Sequence, residues 1–373
     1  MRHPFMHPGL AEPRTKEEWR AYVDHTAPPR PELPPYSTYE AMTPDERDDF
    51  NDARDDHHSA LALVRTSRMQ EIHQAIDQRI RVNRHQAAGA RRGIVIDGPP
   101  TIGKSTAVKW FAADFERRLR RRHPERFEPG YVVDGYIVDY CPVVYLSVPA
   151  AATPKDLSSS LAHYLAIPNP TRGTKSSITS RVLDVMRLCG TELVIIDDAH
   201  FLDLSAREGR IVNDHLKDIA NHVAATFVYT GVDLKKSGLF LEGRGASVRA
   251  TQTSGRNTLH SMSPFKINTT AEKTEWVKIV LALESALCLY QHEAGSLAKL
   301  AQYLHDRTSG SICALSDLLR ESAIVAVHTG EEKITRPLME TVEISDLAQS
   351  AYRVTVKAKK PGEAGSRSGS AAG

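Results

Sequence analysis

The sequence predicts an α/β fold in which helices cover both faces of a parallel sheet, and three observations predict it. Residues 98–105 read Gly98-Pro99-Pro100-Thr101-Ile102-Gly103-Lys104-Ser105, a complete phosphate-loop signature. It lies between a short apolar run, Gly93-Ile94-Val95-Ile96, and a helix-like stretch from Ser105 to about Arg122, the setting this motif needs. A second apolar run, Leu193 to Ile196, ends in two carboxylates, Asp197 and Asp198. Strand-like and helix-like segments alternate around these two features, and that alternation makes a parallel sheet covered on both sides.

Taken in order, residues 1–59 are rich in proline and acid, with Pro28-Pro29-Arg30-Pro31, Pro34-Pro35 and Asp45-Glu46-Arg47-Asp48-Asp49. They read as an extended N-terminal arm that orders against a partner, or as a solvated leader. Residues 60–268 form the nucleotide module. It opens on a helix from about Ala60 to Asn83, because Leu61, Val64, Met69, Ile72, Ile76 and Ile80 recur at helical spacing. Strands are expected at 93–97, 143–148, 192–197 and 225–230, with a fifth near 264–268; helices are expected at 105–122, 154–166, 176–189 and 207–223. Residues 269–345 turn wholly helical, with Trp276, Ile279, Leu283 and Leu287, then Leu297, Leu300 and Leu304, then Leu315, Leu318 and Leu319. This is a second, smaller helical domain. The Lys/Gly/Ser/Ala-rich residues 346–373 read as a disordered tail.

Composition narrows the function. Forty-eight Lys and Arg against 46 Asp and Glu leave a net charge of +2, so any nucleic-acid contact must come from local patches. The four cysteines show no CxxC pair, which argues against zinc or disulfides. Apolar runs are strand-sized and Met1-Arg2-His3-Pro4 begins no signal peptide, so a cytoplasmic protein without a membrane span is expected.

The expected chemistry centres on a nucleoside triphosphate. Gly98 and Gly103 let the loop wrap, so that N–H groups across Gly98, Pro99, Pro100, Thr101, Ile102, Gly103, Lys104, Ser105 and Thr106 and the helix N-terminus face the phosphates. Proline contributes no N–H to that set. Lys104 reaches the β- and γ-phosphates and the Ser105 hydroxyl reaches Mg2+. Asp197 would hold the same ion, largely through its waters, and Asp198 would polarise the attacking water. A solvated turn is the plainer alternative for that pair. Thr230, at the carboxyl end of the run Thr226–Thr230, would sense the γ-phosphate or merely satisfy a turn. Arg256, with Arg249 second, is the candidate to reach a neighbouring subunit's nucleotide; a solvated surface arginine is the alternative. Arg117, Arg118, Arg120 and Arg121 form the densest basic patch, suited to a phosphate backbone or simply to a helix end, where cations complement the macrodipole. The histidines lack metal-ligand spacing, so Mg2+ is the only metal expected.

In this order the parts resemble an AAA+ ATPase, and in detail the TniB, TnsC and Mu B group of bacterial transposition ATPases. The resembling residues are Gly98–Ser105, the stretch Leu193–His200 with its Asp-Asp-Ala-His ending, Thr230-Gly231, Gly238-Leu239-Phe240, Arg256 before Ser263-Pro264-Phe265, and Thr308-Ser309-Gly310-Ser311-Ile312 with Leu315-Ser316-Asp317-Leu318-Leu319. The resemblance implies a P-loop AAA+ module with a five-stranded parallel sheet and a small helical lid. It also implies ATP as substrate with Mg2+, self-assembly into rings or filaments on duplex DNA without base reading, recruitment of a DDE-type transposase, and hydrolysis that disassembles the complex. Two positions depart from the pattern. Asp198 stands where such ATPases commonly carry a glutamate, which implies slow turnover, and no arginine beside Gly310 offers a lid sensor. An AAA+ switch that binds protein partners and ignores DNA is the second reading. A small-molecule kinase fits poorly, because the carboxylate pair is followed by a helical domain.

Overall fold

The computed structural model describes residues 12–60, 64–201, 207–234, 257–345, 349–350 and 352. The chain divides into two compact units, one formed by residues up to Thr26 with Arg65–Ser263 and the other by Ala27–Val64 with the residues from Pro264 onward. Among the described residues no helix is long and apolar enough to cross a membrane.

The first unit is built on a parallel sheet of five strands: β1 (Gly93–Asp97), β4 (Val143–Ser147), β5 (Leu193–Asp197), β6 (Thr226–Gly231) and β7 (Asn257–Ser261), in the order β4-β5-β6-β1-β7. A two-stranded ribbon, β2 (Val132–Val133) and β3 (Tyr136–Ile137), stands apart from it. Every residue of β1, β5 and β6 is buried, as expected of strands covered on both faces. The covering helices are α1 (Lys16–Asp24), α4 (Ser67–Asn83), α5 (Lys104–Arg122), α6 (Pro154–Tyr164), α7 (Lys175–Leu188) and α8 (Arg207–His222). Sequence signals set their ends: Thr153 and Asp156 form a capping box with Pro154 in the first turn of α6, and Thr174 caps α7.

Two expectations change here. The fifth strand is Asn257–Ser261, not 264–268. Pro264 has no N–H to donate to a ladder, whereas β7 is an edge strand whose mostly polar, half-exposed residues give little apolar signal. The helix expected over 60–83 is confined to α4, whose N-cap is Thr66; Ala60 closes the preceding helix and Leu61 lies outside the described residues.

The stretch 12–59 is not an extended arm. α1 starts at the Thr15 cap and buries Trp19 to 1% exposure, with its indole N–H donating to Glu116 Oε2 at 2.7 Å. Helices α2 (Tyr36–Glu40) and α3 (Pro44–Ser59) belong to the second unit, and a Thr43–Glu46 capping box with Pro44 at the first turn starts α3. The second unit continues with α9 (Thr270–Glu284), α10 (Ser296–Lys299), α11 (Ala301–Thr308), α12 (Ile312–His328) and α13 (Arg336–Thr341) around Trp276, Leu283, Leu304, Leu315, Leu319 and Met339. Ser309 and Gly310 both take positive φ in the turn between α11 and α12. A Cβ on Gly310 would meet the Phe265 carbonyl oxygen at 2.1 Å, so only glycine lets the chain pass there. Of the expected tail, only residues 349, 350 and 352 are described.

α3 packs along α12 and carries two fully buried polar side chains, Arg54 and His58. His58 Nε2 accepts the Cys288 N–H at 3.0 Å, which assigns the ring proton to Nδ1. Burial first, then the charges of His57, Arg54 and Arg30, push its pKa down from 6.5 to about 3. A histidine kept neutral in the fold but free to charge in the unfolded chain gives stability that is complete above pH 6.5 and drains away as pH falls toward 3. From pH 7 to pH 5 the loss is about 2 kcal/mol, given ~1.4 kcal/mol per pH unit. Native-state hydrogen exchange of α3 and α12 in the wild type and in His58→Gln measures it; the variant is expected to show a flatter slope over that range.

Candidate nucleotide-binding site

The site grows from the carboxyl edge of the sheet. Register pairs Ile96 with Thr230, Asp97 with Gly231, Ser147 with Asp197 and Ile196 with Tyr229, so Ser147, Asp197 and Thr230 stand at one level and Asp97 one residue beyond it. β6 separates β1 from β5. The carboxylate pair therefore stands two strand spacings, about 10 Å, from the strand that feeds the phosphate loop. Thr230 lies on the strand between them.

The loop is shaped by backbone conformations that few residues tolerate. Thr101 has φ 56° and Gly103, the N-cap of α5, has φ 86°. A Cβ on Gly98 would lie 2.4 Å from the Met262 carbonyl oxygen, so glycine is needed for the residue after β7 to cross the base of the loop. Lys104 is buried in the first turn of α5, and its ammonium donates to the carbonyl oxygens of Gly98 at 2.9 Å and Pro99 at 2.7 Å. These bonds draw the ammonium back over its own loop. Ser105 and Thr106 follow in the same turn, half-buried.

Asp197 is 2% exposed and fully oriented. Its Oδ1 accepts the Asp198 N–H at 3.0 Å and the Thr230 hydroxyl, while Oδ2 accepts the Tyr145 hydroxyl at 2.7 Å. Burial and the carboxylates of Asp197 and Glu12 push the Tyr145 phenol far above its usual range, which keeps it a donor. Asp198 turns away. It has φ 55°, a left-handed conformation that aspartate tolerates better than most residues, and Ser147 Oγ donates to its Oδ2 at 3.1 Å. His200 Nδ1 lies 3.9 Å from Asp198 Oδ1. The two acids thus differ in kind, one buried and bonded, the other half-exposed and re-aimed by the backbone. Asp197 and Ser105 offer hard oxygen donors, the set that suits Mg2+. Among the described residues there is no His, Cys, Asp and Glu cluster of metal-binding size.

The arginines divide. Arg256, Arg249 and Gly238-Leu239-Phe240 lie outside the described residues. Arg117 donates to the Val23 carbonyl at 2.9 and 2.6 Å and pairs with Asp114; Arg120 binds Glu116 at 2.7 Å and Asp24 at 2.6 Å. Arg118 pairs with Asp77 at 3.0 Å across the Phe111 and Phe115 rings. These three hold α1 and α4 against α5, while Arg121 and Arg122 are exposed. In the second unit, Arg307 is buried and donates to the Val342 carbonyl at 2.9 Å.

Tyr145, Ser147 and Glu12 escape the sequence reading. Tyr145 hides in the apolar run of β4. Ser147 could have been found, because the strand-end rule that selects Thr230 applies equally to β4.

Comparison with known proteins bears on the fold. The family described as Bacterial TniB protein matches residues 57–237. The fold is similar to that of solved ORC proteins. These include the Aeropyrum pernix ORC2 protein in its ADP form, with TM-score 0.54 and 15% identity over 79% of this chain and 71% of that one. The ORC2 protein in ADPNP–ADP complexes gives TM-score 0.52 and 14% identity over 74% and 67%. The Aeropyrum pernix ORC1 protein in complex with DNA gives TM-score 0.51 and 16% identity over 80% and 67%. No curated protein matches the chain. The architecture is a P-loop AAA+ fold.

Proposed function

We propose that this TniB-type AAA+ protein binds and slowly hydrolyses ATP, assembles on duplex DNA in its ATP state, and there selects the target for, or activates, a DDE-type transposase. The observation that carries the ATP reading is the shared level of the phosphate loop, Thr230 and the two aspartates at one sheet edge. When bound, Mg2+ supplies charge neutralisation at the phosphates. Ser105 and Asp197 would hold it, Lys104 would trade its two loop carbonyls for phosphate oxygens, and Thr230 would keep Asp197 in place. Asp198 would accept the proton side of the attacking water. Its shorter arm, tied to Ser147, supports slow turnover. Arg256, or Arg249, would complete the site of a neighbouring copy, which makes assembly part of catalysis.

The TniB match supports the transposition role. One observation favours the second reading, a switch for protein partners: Arg117, Arg118 and Arg120 serve the chain itself, which leaves Arg121 and Arg122 as the exposed part of the basic run. Duplex binding at two salt concentrations, with and without an ATP analogue, separates the two. On the first reading, Arg121→Ala with Arg122→Ala weakens ATP-dependent binding evenly across sequences and lowers the slope of log affinity against log salt by about 2. Absence of duplex binding by the wild type under every nucleotide condition would favour the protein-partner switch.

A further inference from the structure

An aspartate carboxylate has about four lone-pair directions. Among the described residues, donors from Thr230 and Asp198 occupy Oδ1 of Asp197, and Tyr145 occupies one side of Oδ2. The remaining direction lies on the oxygen that Tyr145 holds. The Tyr145 hydroxyl is also 2.5 Å from Glu12 Oε1, so one phenolic proton serves two carboxylates. The other oxygen of Glu12 pairs with Lys109 at 3.2 Å, and Lys109 lies 5.5 Å from the Tyr145 ring centroid. Trp19 stacks on the same ring at 6.0 Å with the planes 12° apart. Glu12 and Trp19 precede the TniB-matched segment, which begins at residue 57.

We propose that Tyr145 is a positioning residue of Asp197 beside Thr230, and that Glu12 shares the Tyr145 proton and thereby raises the affinity of the site for a divalent cation. The inference rests on the assignment of Asp197 to Mg2+. Two effects of Glu12 act in the same direction. Drawing the proton toward itself leaves more charge on Asp197 Oδ2, and its own negative charge lies only two hydrogen bonds from that oxygen. The stacked Trp19, anchored by its bond to Glu116, fixes the ring that relays this contact. The N-terminal segment is thus part of the metal site rather than an appendage.

The test is Mn2+ titration by electron paramagnetic resonance into the full chain saturated with a non-hydrolysable ATP analogue, beside analogue affinity without metal. Glu12→Gln is expected to weaken Mn2+ binding about fivefold, the scale of one screened charge a few ångströms away. Metal-free analogue affinity should stay unchanged, and Glu12→Asp should recover part of the loss. In a Tyr145→Phe background, Glu12→Gln should have a smaller effect, because the relay is already broken. Mn2+ affinity of Glu12→Gln within twofold of wild type overturns the inference. A wild-type complex that takes up no Mn2+ beyond the free analogue instead removes the Asp197 assignment on which the inference stands.

Discussion

Arg54→Ala is expected to destabilise the helical unit by about 3–5 kcal/mol, the cost of leaving a buried charge without its partner. Arg54 and Glu332 are 0% and 1% exposed, and the guanidinium meets the carboxylate through two bonds, at 3.0 and 2.5 Å. The same guanidinium donates to the Cys288 carbonyl at 3.1 and 2.9 Å and lies within 6 Å of the Tyr39, Phe50 and Tyr290 rings. Glu332 in turn accepts the Tyr290 N–H at 3.1 Å. Alanine in place of Arg54 strands the carboxylate and the Cys288 carbonyl in an interior too apolar to solvate them. Paired replacement by apolar residues, Arg54→Met with Glu332→Leu, should recover part of the loss, because no charge is then left buried. Recovery stays incomplete, since the Cys288 carbonyl and the Tyr290 N–H still lack their partners. Hydrogen exchange of α3 and α12 in the full chain reads the effect within the unit that carries it. Protection of those helices unchanged by Arg54→Ala would show that α3 is held by its apolar contacts alone.

That ion pair also shows where the sequence stops being legible. Arg54 sits in the acidic run Asp52–Asp56, which reads as a solvated face, and its partner is 278 residues away. No local pattern joins them. Trp19 and Tyr39 likewise sit among charges and prolines with only a tyrosine three residues away, so a segment that packs through them looks too polar to fold. The phosphate loop and the carboxylate pair were legible because their spacing is local and their strands are continuous apolar runs. The five-stranded parallel sheet followed from the same runs, except for β7, whose edge position lets polar residues fill it. Arg117, Arg118 and Arg120 carry a different lesson. Charge density along a helix reports cations, but whether they face phosphate or a carbonyl such as that of Val23 depends on what folds over them.

Lys104→Ala is expected to lower ATP affinity by roughly thirty- to a thousandfold, or about 2–4 kcal/mol for the charge-assisted bonds to phosphate that alanine cannot make. The Lys104 ammonium is buried and donates to the Gly98 and Pro99 carbonyls. Those neutral acceptors are weaker partners than phosphate oxygens, so the exchange on binding is favourable, and burial strengthens it by keeping water out. Alanine loses that exchange and also frees the loop, so part of the fall is the entropy of re-ordering the Thr101–Gly103 turn. Titration with a fluorescent ATP analogue measures the affinity directly. Thermal unfolding gives an independent reading: ligand raises wild-type stability by RT ln(1 + [L]/Kd), and the variant should lose that rise at the same ATP concentration. Measuring the stability of both proteins without nucleotide, and comparing only the rise that ATP adds to each, then separates lost binding from lost folding. An affinity within threefold of wild type would mean that the phosphates are held elsewhere on the sheet edge, and that the Asp197–Thr230–Tyr145 cluster serves some other ligand.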